Sequence, residues 1–147
     1  MKKNTRLFGE IDIPDEKLIH FKDGIVGFPF MKDFALINED DKPDASIMWL
    51  QSMDEEQFAL PVIDPYSIIP DYKPTVDDEM LKAIDYVDQI PYVLVTLTVP
   101  PKIEELTANL KAPIVINMDN NKAVQVIVED DYEVKYHIYD LLKKKED

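Results

Sequence analysis

An all-β fold, mainly antiparallel and closed into a compact β-barrel-like single domain with one or two short helices, is what this sequence predicts. Three observations carry the prediction. Short runs of β-branched and aromatic residues recur along the chain, turn residues separate them, and helical periodicity is thin. The single domain spans residues 1–147, with the tail from about residue 132 the least defined part.

The elements follow in order. Residues 7–13 alternate, with Leu7, Gly9, Ile11 and Ile13 set against Phe8, Glu10 and Asp12, a period of two that predicts a strand. Gly24 and Gly27 bracket Ile25 and Val26, where positive φ in a tight connection is expected. Short strands are predicted at 18–21 and 34–38, and a pair at 47–51 and 58–63 flanks the acidic turn 53–56. One helix is predicted from Thr75, as a capping residue, through Met80, Leu81 and Ile84. YVLVTLTV at 92–99 is the clearest strand, with two interleaved threonines and prolines at both borders. A single helical turn can follow at 102–106. Strands at 114–117 and 123–129 are joined by 118–122, whose Asp-Asn-Asn reads as a hairpin turn. In the tail, Val134, Ile138, Leu141 and Leu142 fall near helical spacing, and the lysines at 143–145 suit a helix C-terminus.

The stretch 106–117, LTANLKAPIVIN, mixes apolar residues with two asparagines, a threonine and a proline. Asn109 and Asn117 need hydrogen-bond partners if they leave water. Pro113 removes a backbone donor, which predicts two short elements meeting at a bend or sheet edge, with the asparagines satisfying backbone groups at a barrel corner.

Composition narrows the function. Sixteen Lys and Arg against thirty Asp and Glu leave a formal charge of −14, which repels free nucleic acid and favours solubility or a basic protein partner. Cysteine is absent, which excludes disulfides, thiolate catalysis and cysteine-bound metal. No apolar h-region follows the first two lysines and no run approaches the length of a membrane span, so a cytoplasmic protein without membrane contact is expected. His20 and His137, over a hundred residues apart, lack metal-ligand spacing and read as ordinary polar residues. No nucleophile elbow or phosphate loop occurs, and the paired acids read as solvated turns. No enzyme, metal or cofactor is expected.

Two features admit two readings. Trp49, beside Ile47 and Leu50, is a core or barrel-end residue, or else a partly exposed anchor. Asp64-Pro65-Tyr66 and Pro70-Asp71-Tyr72, around Ser67, Ile68 and Ile69, form a proline-stiffened connection or a rigid docking loop.

Five segments resemble, in order and spacing, the flagellar assembly factor FliW family: FGEIDI at 8–13, GIVGF at 24–28, WLQS at 49–52, VIDPYSIIPDY at 62–72 and LTANLKAPIVIN at 106–117. The resemblance runs from about residue 5 to about residue 131, and the tail matches least. It implies a compact barrel-like fold and a non-enzymatic, cytoplasmic protein. It also implies two partners, flagellin before export and the RNA-binding translational regulator CsrA, with no direct contact to nucleic acid and monomer as the default state. Physical chemistry then suggests acids that repel RNA phosphates beside the bound regulator: Glu39, Asp40, Asp41, Asp54, Glu55 and Glu56. An apolar groove for an amphipathic flagellin helix would be lined by Tyr66, Ile68, Ile69 and Tyr72. The alternatives are a flagellin export or folding chaperone without a translational role, and a carbohydrate-binding β-module.

Overall fold

A computed structural model describes residues 1–38, 47–85 and 91–146. Strands β1 (Lys2–Thr5) and β2 (Gly9–Asp12) form a separate antiparallel hairpin. An antiparallel meander follows: β3 (Ile19–Phe21), β4 (Asp33–Ile37), β5 (Ile47–Ser52), β6 (Ala59–Ile63) and β7 (Tyr92–Thr98). Then come β8 (Thr107–Ala108), β9 (Ile114–Asn117), β10 (Lys122–Gln125) and β11 (Tyr136–His137). β9 pairs with β7 and β10, and β10 lies parallel to β3, which closes β3–β7, β9 and β10 into a seven-stranded barrel. The helices are α1 (Asp78–Leu81) and α2 (Tyr139–Glu146).

Period-two alternation sorts the side chains into layers. Inside the barrel, Phe21, Phe34, Leu50, Val62, Leu94, Ile114 and Ile116 form the core, with Phe21 and Phe34 edge to face at 5.3 Å. On the outside of β6–β8, Ile63, Val95 and Leu97 are covered by Ile68, Tyr72 and Ile138. On the outside of β9 and β10, Val115 packs with Ile84, Val126 and Val128. β9 is therefore buried on both faces. Each fully buried Ile or Leu there contributes about 1.5–3 kcal/mol.

The 106–117 stretch is an interrupted strand, with β8 and β9 both running along β7 and a bend between them. Asn109 Oδ1 closes the bend by accepting from the Lys111 and Ala112 amides at 3.1 and 3.2 Å. Asn117 Nδ2 donates to the Ile84 carbonyl at 2.9 Å, and its Oδ1 accepts from the Asp119 amide at 3.0 Å. Both asparagines satisfy backbone groups at a barrel corner, as the sequence predicts.

Four elements differ from expectation, one of them being the strand predicted at 123–129, which is β10 at Lys122–Gln125 and stops four residues early. The strand predicted at 7–13 is the shorter β2, Gly9–Asp12, because Thr5 Oγ1 accepts from the Phe8 amide and donates to the Gly9 carbonyl, closing a turn at residues 6–8 that leads back to β1. Gly9 has φ +65°, a conformation that suits glycine and breaks an extended run. The helix predicted from Thr75 shrinks to α1 plus a 3₁₀ turn at Lys82–Ile84. Thr75 does not cap it: its amide and hydroxyl both donate to the Asp130 carboxylate, at 2.9 and 2.8 Å. The tail holds both a strand and a helix, with β11 paired to β8 before α2 begins.

Candidate functional site

The β5–β6 turn carries the acids Asp54, Glu55 and Glu56, all exposed. Ser52 Oγ shapes the turn by accepting from the Asp54 and Glu55 amides at 3.1 and 2.9 Å. Asp54 also serves the fold, since its Oδ2 accepts from the Lys32 and Asp33 amides at 2.7 and 2.9 Å and holds the start of β4. Glu56 contributes its backbone carbonyl, which accepts from Gln51 Nε2 at 3.1 Å. Glu55 and Glu56 thus remain as outward charges. The other predicted acids, Glu39, Asp40 and Asp41, lie outside the described residues.

The 64–72 connection is built as a proline-stiffened turn. Asp64 Oδ1 accepts from the Tyr66 amide at 2.9 Å, and Ser67 Oγ donates to the Asp64 carbonyl at 2.7 Å. The four predicted groove residues do not line one open groove. Ile68 and Tyr72 are only 8% and 3% exposed, because they cover the outer face of β6–β8. Tyr72 Oη donates to the Leu110 carbonyl at 2.7 Å, and its ring lies 4.8 Å from Tyr132 and 5.9 Å from Tyr66. Tyr66 is exposed and Ile69 half-buried, so these two are what the loop presents. Burial pushes the Tyr72 phenol far above its ordinary range, reinforced by Tyr132, Tyr66 and Asp130. Burial also raises Tyr66 and Tyr92, with the Asp64 charge adding to both.

Trp49 sits on the outer face of the barrel, paired with Ile37 and Pro61 and half-buried, with the Phe8 ring edge-on at 6.4 Å. It belongs to none of the three core layers, which favours the partly exposed reading over the core one. His20 Nδ1 lies 2.9 Å from Asp33 Oδ1, and His137 is exposed on β11.

Sequence reasoning missed the surface made by residues 26–30. Its glycines give the loop its shape, as predicted, with φ +70° at Gly24 and +87° at Gly27. The unforeseen part is that Val26, Gly27, Phe28, Pro29 and Phe30 are all exposed. An apolar run without strand alternation, following Gly24 and interrupted by Gly27, was the available signal.

Two clefts lie near the β3 and β10 strands, and only the first reaches this loop, at Val26. One, of about 170 Å³, is lined by residues 22–26, 83 and 123–125; the other, of about 230 Å³, by His20, Lys22, Ala83 and Lys122. Neither is lined by Tyr66, Ile68, Ile69 or Tyr72. Among the described residues no three His, Cys, Asp or Glu side chains converge as metal ligands, and no helix is long and apolar enough to cross a membrane.

Comparison with known proteins gives a consistent set of relatives. The family described as FliW protein matches residues 2–138. The flagellar assembly factor FliW of Lachnospira eligens is 44% identical, over 99% of this chain and 99% of its own. That of Caldanaerobacter subterraneus subsp. tengcongensis is 43% identical, over 97% and 96%. A crystal structure of the flagellar assembly factor FliW superposes with a TM-score of 0.85 at 31% identity, covering 95% of this chain and 97% of that one.

Proposed function

The chain belongs to the FliW family of flagellar assembly factors, and from that premise we propose that it acts in the cytoplasm by binding rather than by catalysis. Its two partners are flagellin awaiting export and the translational regulator CsrA. Free protein sequesters the regulator and relieves repression of the flagellin message. Accumulating flagellin occupies the protein, and repression returns. Similarity along nearly the whole chain carries this reading.

The charge supplies a physical account of the antagonism. A regulator that grips RNA must present cationic side chains, and a protein of charge −14 beside them competes with phosphate. Glu55 and Glu56, exposed on the β5–β6 turn, are suited to this role.

Co-purification tests the proposal. Flagellin and a small basic RNA-binding protein should be recovered with this chain in mutually exclusive complexes. Recovery of flagellin alone would reduce the role to an export chaperone. Recovery of neither would return the carbohydrate-binding reading, which predicts an affinity indifferent to salt.

A further inference from the structure

We propose that the loop at residues 26–30 is a preformed docking knob for an amphipathic protein segment whose apolar face is bordered by Lys or Arg. This deepens the partner-binding reading above and rests on it for the statement that the occupant is a protein. Three observations carry it.

The first is exposure. Val26 is 53% and Phe30 64% exposed, and Phe28 lies between them, so a contiguous apolar surface faces water. The second is rigidity. The Val26 amide donates to Gln125 Oε1 at 2.8 Å, and the amides and carbonyls of Ile25 and Phe28 bond reciprocally at 3.3 and 2.8 Å. The loop is rooted by Ile25 and Met31, which are buried in the barrel core. The Phe28 ring sits 4.9 Å from Phe58 and 6.3 Å from Phe30. A surface already held in one conformation loses little entropy on binding.

The third observation identifies the occupant. Phe58 follows the acidic turn, its amide donating to the Glu55 carbonyl at 3.0 Å, and Asp54 grips the Lys32 and Asp33 amides just beyond Phe30. The aromatic knob and the acids 54–56 are therefore neighbours. An apolar contact flanked by carboxylates selects apolar side chains flanked by cations. A second copy of this chain would bring charges of −14 together and set acids against acids.

Isothermal titration of the full chain with two synthetic amphipathic helices tests the proposal, one built of Leu and Lys and one of Leu and Glu. The Leu/Lys helix should bind and the Leu/Glu helix should not. Phe30→Ser should weaken binding about thirtyfold, the loss typical of an interface anchor. Tyr66→Ser, on the other loop, should leave it unchanged. Glu55→Gln with Glu56→Gln should flatten the salt dependence. Unchanged affinity for Phe30→Ser, or no binding of the Leu/Lys helix by the wild-type chain, would overturn the knob. Because the same variants can enter the co-purification, the two proposals fail separately. Partners recovered equally by wild type and Phe30→Ser would sink the knob alone, whereas wild type recovering neither would sink the proposed function.

Discussion

Two connections of the barrel, residues 24–32 and 64–77, draw on similar residue types and use them in opposite ways. Both contain aromatics, isoleucine and proline between short strands. In the second, Ile68 and Tyr72 turn inward and complete the layer outside β6–β8. In the first, Ile25 and Met31 hold the ends while Phe28 and Phe30 turn outward. The difference lies in what each loop has beneath it. The 64–77 loop lies over apolar β6–β8, whereas the 24–32 loop spans from β3 to β4, with Phe28 resting on Phe58 and Val26 and Phe30 left facing water. The same residue type therefore stabilises in one place and presents a surface in the other.

The sharpest way to break the comparison is at Tyr72. Tyr72→Ala removes a buried ring and leaves the Leu110 carbonyl without its 2.7 Å donor, so a loss of about 4 kcal/mol is expected. Tyr72→Phe keeps the ring and should lose about 1 kcal/mol. Urea denaturation reads both as shifts in midpoint at constant slope. Equal effects from the two variants would show that the hydroxyl, not the ring, holds the loop.

The next largest effect is expected in the other loop. A Cβ on Gly24 would lie 2.5 Å from the Phe28 carbonyl oxygen and 2.6 Å from Pro29 backbone atoms, at φ +70°. Backbone cannot yield as a side chain can, so Gly24→Ala should cost about 2 kcal/mol. Gly27→Ala, at φ +87° with open space around it, should cost about 1 kcal/mol. If both variants melted alike, the close approach at Gly24 would not matter.

Much of this architecture was legible in the residues. Runs of β-branched and aromatic residues between turn residues located β4 to β7, β9 and β10, and Asn109, Pro113 and Asn117 announced the interrupted strand. Where the reading failed, a side chain had a distant partner. Thr75 looks like a helix cap in a local window, but the carboxylate that takes its donors is 55 residues away. Tyr72 and Ile68 look like a docking pair until β6–β8 are known to lie beneath them. The exposed 26–30 run was hidden for the converse reason, since a strand-flanked apolar segment ordinarily reads as core.

The two loops should also respond differently to acid. The 64–77 loop is tied down by Asp130, whose carboxyl is held below its usual range by hydrogen bonds from the Thr75 amide and hydroxyl, with Lys111 assisting. A carboxyl lowered on folding adds stability above its unfolded value of 3.8, and that contribution disappears as pH falls through the folded value. The stability difference between wild type and Asp130→Asn should therefore be constant near neutrality and shrink below pH 3.8. A difference that persisted in acid would show that Thr75 is held by something other than the carboxylate.

Phe30 should give the smallest stability change and the clearest separation of the two loops. Phe30 is 64% exposed and its ring meets Phe28 edge-on at 6.3 Å, so Phe30→Ser removes little burial. A loss of about 0.5–1 kcal/mol is expected from the aromatic pair alone. Tyr72→Ala, in contrast, should move stability by several times that amount. If Phe30→Ser destabilised the barrel as strongly as Tyr72→Ala, its ring would be a structural part of the fold and the loop no docking knob. A small shift in the urea midpoint beside a large loss of Leu/Lys helix binding is the pattern that keeps presentation apart from packing.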